Sequence, residues 1–166
     1  MSTVSALYIA AALMLSQGSG GHTTSNARVL NGSTLEINGQ KIELSGVDAP
    51  QINQHCTDGS GKIYNCGLWS SNLLSEWIAN KTVKCRNDAS AKYLPDRRIC
   101  TADGEDISKF AIKSGWVVTS PTPDGRAYLE DERFAKNHRT GLWAGKFARP
   151  IDWRRSMTSQ KPISAK

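Results

Sequence analysis

The sequence lacks a hydrophobic run long enough to cross a membrane. Its longest apolar stretch, residues 6–15, is about half of the roughly 20 residues that a membrane-spanning helix requires. The chain also lacks internal repeats and the excess of proline and glycine that marks collagen-like or low-complexity proteins, with 6 Pro and 14 Gly in 166 residues. Since 39% of the residues are apolar and 22% are charged, we expect one globular domain with no membrane span in the mature chain.

Residues 1–20 are predicted to form a secretory signal peptide. The apolar run at residues 6–15 is followed by small and polar residues, an order typical of such leaders. The positively charged residues that usually precede such an apolar run are missing. A short N-terminal helix on an intracellular protein is therefore the alternative interpretation. Export is the interpretation we adopt, and it predicts a periplasmic or secreted protein.

The four cysteines lack the spacing of a zinc site. There is no Cys-x2-Cys pair among Cys56, Cys66, Cys85 and Cys100. The one candidate histidine ligand is His55, which lies beside Cys56. An even number of cysteines in a small exported chain indicates disulfides instead, and three pairings are possible.

Positive charge is concentrated at the C-terminal end. Of the net charge of +6, residues 146–166 supply +5. Residues 156–166 are rich in Ser and Lys and are predicted to form a basic disordered tail. Such a segment either binds polyanions by neutralising their charge or is simply a solvated terminus.

The pattern of apolar residues predicts an α+β domain with a largely antiparallel sheet. Residues 34–37 and 41–44 alternate polar with apolar on either side of Asn38-Gly39, which predicts a hairpin. Residues 48–64 have no period and are predicted to form a long loop, whereas apolar residues four apart predict a helix over residues 67–80. Further elements are predicted as helices at residues 106–114 and 128–139 and as strands at residues 82–85, 98–101 and 116–119.

Several motifs, in their order along the chain, resemble the thermonuclease family of staphylococcal nuclease-like proteins. The motifs are LNGSTLEINGQKIELSGVDAP at residues 30–50, YNCG at 64–67, GEDIS at 104–108, SGW at 114–116 and GLWAG at 141–145. The similarity covers residues 27–155 and implies an OB-fold, a five-stranded β-barrel with about three helices. On the basis of this resemblance we predict two disulfides, Cys56–Cys66 and Cys85–Cys100.

The resemblance also implies a catalytic site, from which this chain departs at most positions. Family members hydrolyse phosphodiesters with one calcium ion, two aspartates that hold it, a glutamate that activates water and two arginines that clamp the phosphate. At the calcium positions this sequence has Ser33 and Asp48, so only Asp48 is retained. At the positions of the first arginine, the glutamate and the second arginine it has Glu43, Gln51 and Pro95.

These departures predict a catalytically impaired protein. Together with the predicted export, they lead us to expect an exported protein that binds nucleic acid or another polyanion, such as an anionic glycan, as a monomer and without a cofactor. The candidate binding residues are Arg97 and Arg98 in the domain and Arg154 and Arg155 before the tail. One alternative is a phosphodiester-hydrolysing nuclease with a rearranged site, which would use calcium. Another is an accessory protein in succinoglycan-type exopolysaccharide biosynthesis, because some relatives of the family are encoded with such genes.

Overall fold

The computed structural model describes residues 22–24, 27–91, 93–94 and 96–159. The predicted signal peptide, Pro95 and residues 160–166 lie outside the described residues. Within the described ranges, no helix has the length and apolar character that a membrane crossing needs.

The chain folds as an α+β domain, because a run of strands precedes the first helix and the main sheet is largely antiparallel. The strands are β1 (His22–Thr24), β2 (Arg28–Asn31), β3 (Thr34–Ile37), β4 (Gln40–Leu44), β5 (Val47–Asp48), β6 (His55–Thr57), β7 (Ile63–Asn65), β8 (Val83–Asn87), β9 (Arg97–Ala102), β10 (Glu105–Asp106) and β11 (Val118–Thr119). The helices are α1 (Cys66–Ile78), α2 (Ile107–Lys113), α3 (Leu129–Asn137) and α4 (Pro150–Ser159). The three predicted helices are confirmed as α1 to α3.

The five longest strands form a sheet that curls into a half-barrel, consistent with the predicted OB-like fold. Their order across the sheet is β8, β9, β4, β3, β2, and the short strands β1 and β10 extend it by pairing with β8 and β9. All neighbours are antiparallel except β4 and β9, which run parallel with Glu43 opposite Arg97. The β3–β4 hairpin turns at Asn38 and Gly39, whose φ angles of 52° and 76° are those of the predicted two-residue turn.

The core lies between the concave face of this sheet and helices α1 and α2. Alternate strand residues point inward, as the period of two requires, and α1 packs against β2. Trp77 of α1 stacks on Phe110 of α2 with 3.9 Å between ring centroids, which ties the two helices together. The buried side chains include Leu35, Ile37, Ile42, Leu44, Leu74, Ile78, Val83 and Ala102. Burying each of the larger ones contributes about 2 kcal/mol to stability.

Both predicted disulfides are confirmed. Cys56–Cys66 joins β6 to the first residue of α1, and Cys85–Cys100 links residues directly opposite each other on β8 and β9. The two bridges fit a protein that folds in an oxidising compartment.

The region predicted to be a long loop contains short strands instead. In residues 48–64, β5 ends at Asp48, and β6 and β7 form a two-stranded ribbon that is continued by a bridge between Thr57 and Lys146. Each of these strands has at most three residues, too few to produce a detectable alternation in the sequence. The ribbon is held to α1 by the Cys56–Cys66 disulfide.

A fourth helix was not predicted. The helix α4 begins at Pro150 and runs to Ser159, so residues 156–159 are helical rather than part of a disordered tail. Proline is well suited to the first turn of a helix, where its missing N–H costs nothing. The Arg154 side chain of α4 contacts the domain at Asp48, and tertiary contacts of this kind supply the stability that a short polar helix lacks by itself.

Candidate binding pocket

A polar cavity of about 370 Å³ opens beside the sheet, and it collects most of the predicted site residues. We call it the binding pocket. Its lining residues are Asn31, Ser33, Thr34, Lys41, Glu43, Leu44, Val47, Asp48, Gln51, Arg97 and Arg154. The predicted positions thus converge although they come from β4, β5, β9, α4 and the connections between strands. Arg98 and Arg155 do not line the pocket, and Pro95 lies outside the described residues.

Asp48, which the resemblance predicts to be the one retained calcium ligand, is bound by an arginine from the other end of the chain. Nη1 and Nη2 of Arg154 donate to Oδ1 and Oδ2 of Asp48 at 2.7 and 3.0 Å. The Asp48 side chain is only 11% exposed, so this bidentate pair is shielded from water on the aspartate side. A guanidinium group therefore covers both oxygens that a metal ion would use.

The segment that leads into α4 is anchored to the domain at two further points. Buried Gln54 donates through Nε2 to the carbonyl oxygen of Ala148 at 2.8 Å. Arg149 donates through Nη2 to the carbonyl oxygen of Thr119 at 3.2 Å and lies 3.5 Å from Oε1 of Glu132. These contacts fix where α4 starts, and so they place Arg154 over Asp48.

The buried carboxyl of Glu132 stays ionised to hold this anchor. Burial alone would raise its pKa, but hydrogen bonds from Lys136 and from the Thr119 N–H, together with the charge of Arg149, hold the pKa below its usual value.

Arg97 is held by a second buried carboxylate. Its Nη1 donates to Oδ2 of Asp124 at 2.8 Å, and Asp124 is only 1% exposed. Burial would raise the pKa of Asp124, yet hydrogen bonds from Thr122 and the Gly46 N–H and the charge of Arg97 keep it below the ordinary value. The Arg97 guanidinium is consequently fixed at the pocket wall and does not swing freely.

Three other residues that the resemblance assigns to the site, Ser33, Glu43 and Gln51, also line the binding pocket. The backbone N–H and the hydroxyl of Ser33 both donate to Oδ1 of Asn31, at 2.9 and 3.1 Å. Glu43 lies 3.3 Å from Lys41 in a largely exposed ion pair. Gln51 lines the pocket with an amide, which cannot act as a proton acceptor for water.

This donor set does not fit a calcium ion. Calcium takes six to eight oxygen ligands, several of them carboxylates. The pocket offers two carboxylates, Glu43 and Asp48, and both form ion pairs with side chains of the protein. Among the residues that the structure describes, no group of three His, Cys, Asp or Glu side chains could hold a metal.

Comparison with known proteins places the chain in a family. No family model matches it. It is 30% identical over 143 residues to the succinoglycan biosynthesis protein ExoI of Rhizobium meliloti (strain 1021), which covers 85% of this chain and 75% of that protein. The chain belongs to the ExoI family. Two proteins named uncharacterized endonuclease, from Escherichia coli O157:H7 and Escherichia coli, are each 27% identical over 127 residues, 70% of this chain and 74% of theirs. These names are consistent with a nuclease-like family.

In this ExoI-family protein the binding pocket carries no excess of charge. Its three cations, Lys41, Arg97 and Arg154, are each ion-paired with an acid of the protein. A ligand in the binding pocket would therefore meet fixed hydrogen-bond donors and acceptors rather than a strong positive field.

The two predicted arginines outside the binding pocket lie elsewhere on the surface. Arg98 donates to the carbonyl oxygen of Arg97 at 3.0 Å, and Arg155 lies 3.6 Å from Asp152 on the exposed side of α4. Neither contributes to the pocket lining.

Sequence reasoning missed Asp124 and the pairing of Asp48 with Arg154. Asp124 lies in a Pro-Asp-Gly run, which indicates a turn and carries no sign of a buried ion pair. Asp48 and Arg154 are 106 residues apart, and α4 was not predicted, so no local pattern connects them.

Proposed function

We propose that this ExoI-family protein is an exported, thermonuclease-like OB-fold protein that binds a polyanion and has lost most of its capacity to hydrolyse phosphodiesters. The observation that carries the proposal is the bidentate contact between Arg154 and Asp48. The one retained acid of the family's calcium site is engaged by a guanidinium group from α4. Hydrolysis that depends on calcium then has no place to hold the metal.

The other substitutions act in the same direction. Ser33 removes a metal-binding carboxylate, Gln51 removes the proton acceptor, and Glu43 puts a negative charge where a phosphate would need a positive one. Losses within such a constellation each cost orders of magnitude in rate, and what remains comes from binding alone.

An accessory role in exopolysaccharide production, with an anionic glycan as the bound polyanion, is the setting that we favour. The relative named for succinoglycan biosynthesis supports this choice. The two disulfides support export to the compartment in which such polymers are assembled or released. We propose that the protein works there as a monomer and without a cofactor.

A working nuclease with a rearranged site is the second candidate. Two guanidinium groups, Arg97 and Arg154, line the binding pocket and would replace the two lost phosphate clamps. The relatives named endonuclease favour it as well.

A zymogram against DNA, run with and without calcium, separates the two candidates. The proposed function predicts no clearing band from the purified protein under either condition, together with retention of an acidic polysaccharide in affinity electrophoresis. Robust calcium-stimulated clearing by protein that is free of contaminating nuclease would overturn the proposal in favour of the nuclease.

A further inference from the structure

A second cavity lies next to the binding pocket along α4. Arg154 lines the binding pocket, whereas its neighbour Trp153 lines an open apolar groove of about 440 Å³. The aromatic face of Trp153 is joined there by Phe147, by Ile63, which is 67% exposed, and by Ala148. Trp153 and Phe147 are half-buried, and aromatic and aliphatic walls of this kind bind flat rings that have an apolar face.

The ionisable side chains that line this groove are all basic. Among the residues that line it, His55 and Lys146 are basic and none is acidic. Lys146 forms no ion pair with any residue that the structure describes. The groove therefore differs from the binding pocket, where every cation is neutralised by an acid of the protein.

A polar cavity of about 490 Å³ continues the groove past Lys146. The two cavities share Thr57 and Lys146, and the polar one is also lined by Asp58, Ser60 and Arg139. Arg139 likewise has no ion-pair partner within the described part of the chain. Two cations without an ion-pair partner among the described residues thus lie at neighbouring cavities, one of which has an apolar, aromatic wall.

Asp58 adds a hydrogen-bond acceptor to the lining of the polar cavity. Its Oδ1 accepts hydrogen bonds from the N–H and the hydroxyl of Ser60 and from the Lys62 N–H, at 2.9, 2.6 and 3.0 Å. These hydrogen bonds lower the pKa of Asp58, so the carboxylate is ionised at neutral pH. Its Oδ2 atom has no hydrogen-bond partner among the described residues.

We propose that the two cavities form one extended groove that binds an acidic polysaccharide. Sugar rings pack their apolar faces on Trp153 and Phe147, carboxylates of the glycan pair with Lys146 and Arg139, and hydroxyl groups donate to Asp58. This inference rests on the proposed function and names the ligand class and the surface that binds it.

The groove favours an acidic glycan over a single-stranded nucleic acid. A nucleic acid carries one phosphate per nucleotide, and its phosphates would have to pass the ionised Asp58 carboxylate at close range. A glycan presents many hydroxyl donors between its negative charges, and an ionised carboxylate is a strong acceptor for a hydroxyl.

Isothermal titration with three matched ligands tests the proposal. The ligands are a hexamer of galacturonic acid, its fully methyl-esterified and therefore neutral form, and a six-nucleotide single-stranded DNA. We expect the acid hexamer to bind at least tenfold more tightly than either of the others. Trp153→Leu and Lys146→Gln should each weaken its binding about tenfold, because each removes one of the two kinds of contact.

Matched controls keep this test independent of folding and of the binding pocket. Trp69 is another exposed tryptophan, and Arg133 is another exposed cation, and neither lines the groove. Trp69→Leu and Arg133→Gln should leave the affinity unchanged, and a thermal melt checks that every variant is folded.

Three results would overturn the inference. If the hexamer binds and the groove variants bind it as tightly as the native protein, the ligand lies elsewhere and the proposed function still stands. If DNA binds more tightly than the hexamer with the same dependence on Trp153 and Lys146, the occupant is a nucleic acid. If none of the ligands and no acidic polysaccharide binds, the proposed function fails as well.

Discussion

At the scale of single residues, the contact between Arg154 and Asp48 has the largest consequence for the chemistry of the binding pocket. A metal ion and a guanidinium both satisfy a carboxylate, but only the metal can also polarise a phosphate and activate water. The guanidinium supplies charge and hydrogen bonds in a fixed orientation. In the binding pocket, the positive charge beside Asp48 therefore comes from a side chain of the protein itself.

Breaking this pair is expected to destabilise the fold modestly. Arg154→Met retains the aliphatic stem but leaves the mostly buried Asp48 carboxylate without its partner, which should lower the free energy of unfolding by about 1–2 kcal/mol. Urea denaturation measures the change. In a double-mutant cycle with Asp48→Asn, the loss from the double variant should be smaller than the sum of the two single losses. Additive losses would show that the two side chains do not interact in solution.

Asp124 is expected to make stability depend on acid pH. Because its pKa in the folded state lies below the ordinary value near 3.8, its contribution is complete above that value and is lost as the pH falls through the folded pKa. Asp124→Asn, which leaves Arg97 without its carboxylate partner, should cost about 3 kcal/mol at pH 7.

Urea midpoints measured between pH 7 and pH 2 test this dependence. The difference between the native protein and Asp124→Asn should be constant from pH 7 to about pH 5 and should narrow below pH 4. Equal losses of stability with falling pH in both proteins would assign the acid sensitivity to other carboxyls, such as Glu132.

At the scale of secondary-structure elements, the two disulfides are expected to act over different ranges. Each closes a short loop, of 10 or 15 residues, and each should contribute about 3 kcal/mol. However, Cys85–Cys100 lies within a long antiparallel ladder that holds β8 and β9 together without it, whereas Cys56–Cys66 holds the short β6–β7 ribbon to α1.

Hydrogen exchange distinguishes these two roles. Changing Cys56 and Cys66 to Ala should raise amide exchange selectively in residues 55–66, and changing Cys85 and Cys100 to Ala should raise it only in proportion to the global loss of stability. Uniform protection across residues 55–66 in the first variant would show that the ribbon is stable without its bridge.

The elements that were predicted correctly have a strong local signal. The Asn38-Gly39 turn demands positive φ angles, and the apolar spacing of four in α1 repeats over three turns. The ribbon and α4 lack such signals, because the ribbon strands have three residues each and α4 is stabilised by tertiary contacts.

The candidate site was predictable in part for the same reason. One continuous motif on a hairpin and its extension contains Ser33, Glu43 and Asp48, and Gln51 directly follows it. The ion pairs that decide their chemistry join distant segments, Asp48 to Arg154 and Arg97 to Asp124, and no spacing rule reports such contacts.

At the scale of the whole molecule, the positive charge of the C-terminal region is less available than its sequence indicates. Residues 146–166 supply +5, but Arg149 pairs with Glu132, Arg154 with Asp48 and Arg155 with Asp152. We therefore expect duplex DNA to bind weakly, with a log-log salt slope of about −2, which corresponds to two or three phosphate contacts.

Fluorescence anisotropy over a range of salt concentrations measures this slope. Arg149→Ala should lower the melting temperature and leave the slope almost unchanged, because Arg149 anchors the start of α4 to Glu132. A slope near −5 that flattens in this variant without loss of stability would mean that the C-terminal arginines face the nucleic acid.

Isothermal titration of calcium tests most directly the central proposal that Arg154, by engaging Asp48, prevents calcium from binding there. The native protein should give no binding heat at millimolar calcium, since both oxygens of Asp48 are engaged by Arg154. The triple variant Ser33→Asp, Gln51→Glu and Arg154→Met restores two carboxylates and frees Asp48, so calcium should bind to it. Saturable calcium binding by the native protein, abolished by Asp48→Asn, would contradict the account.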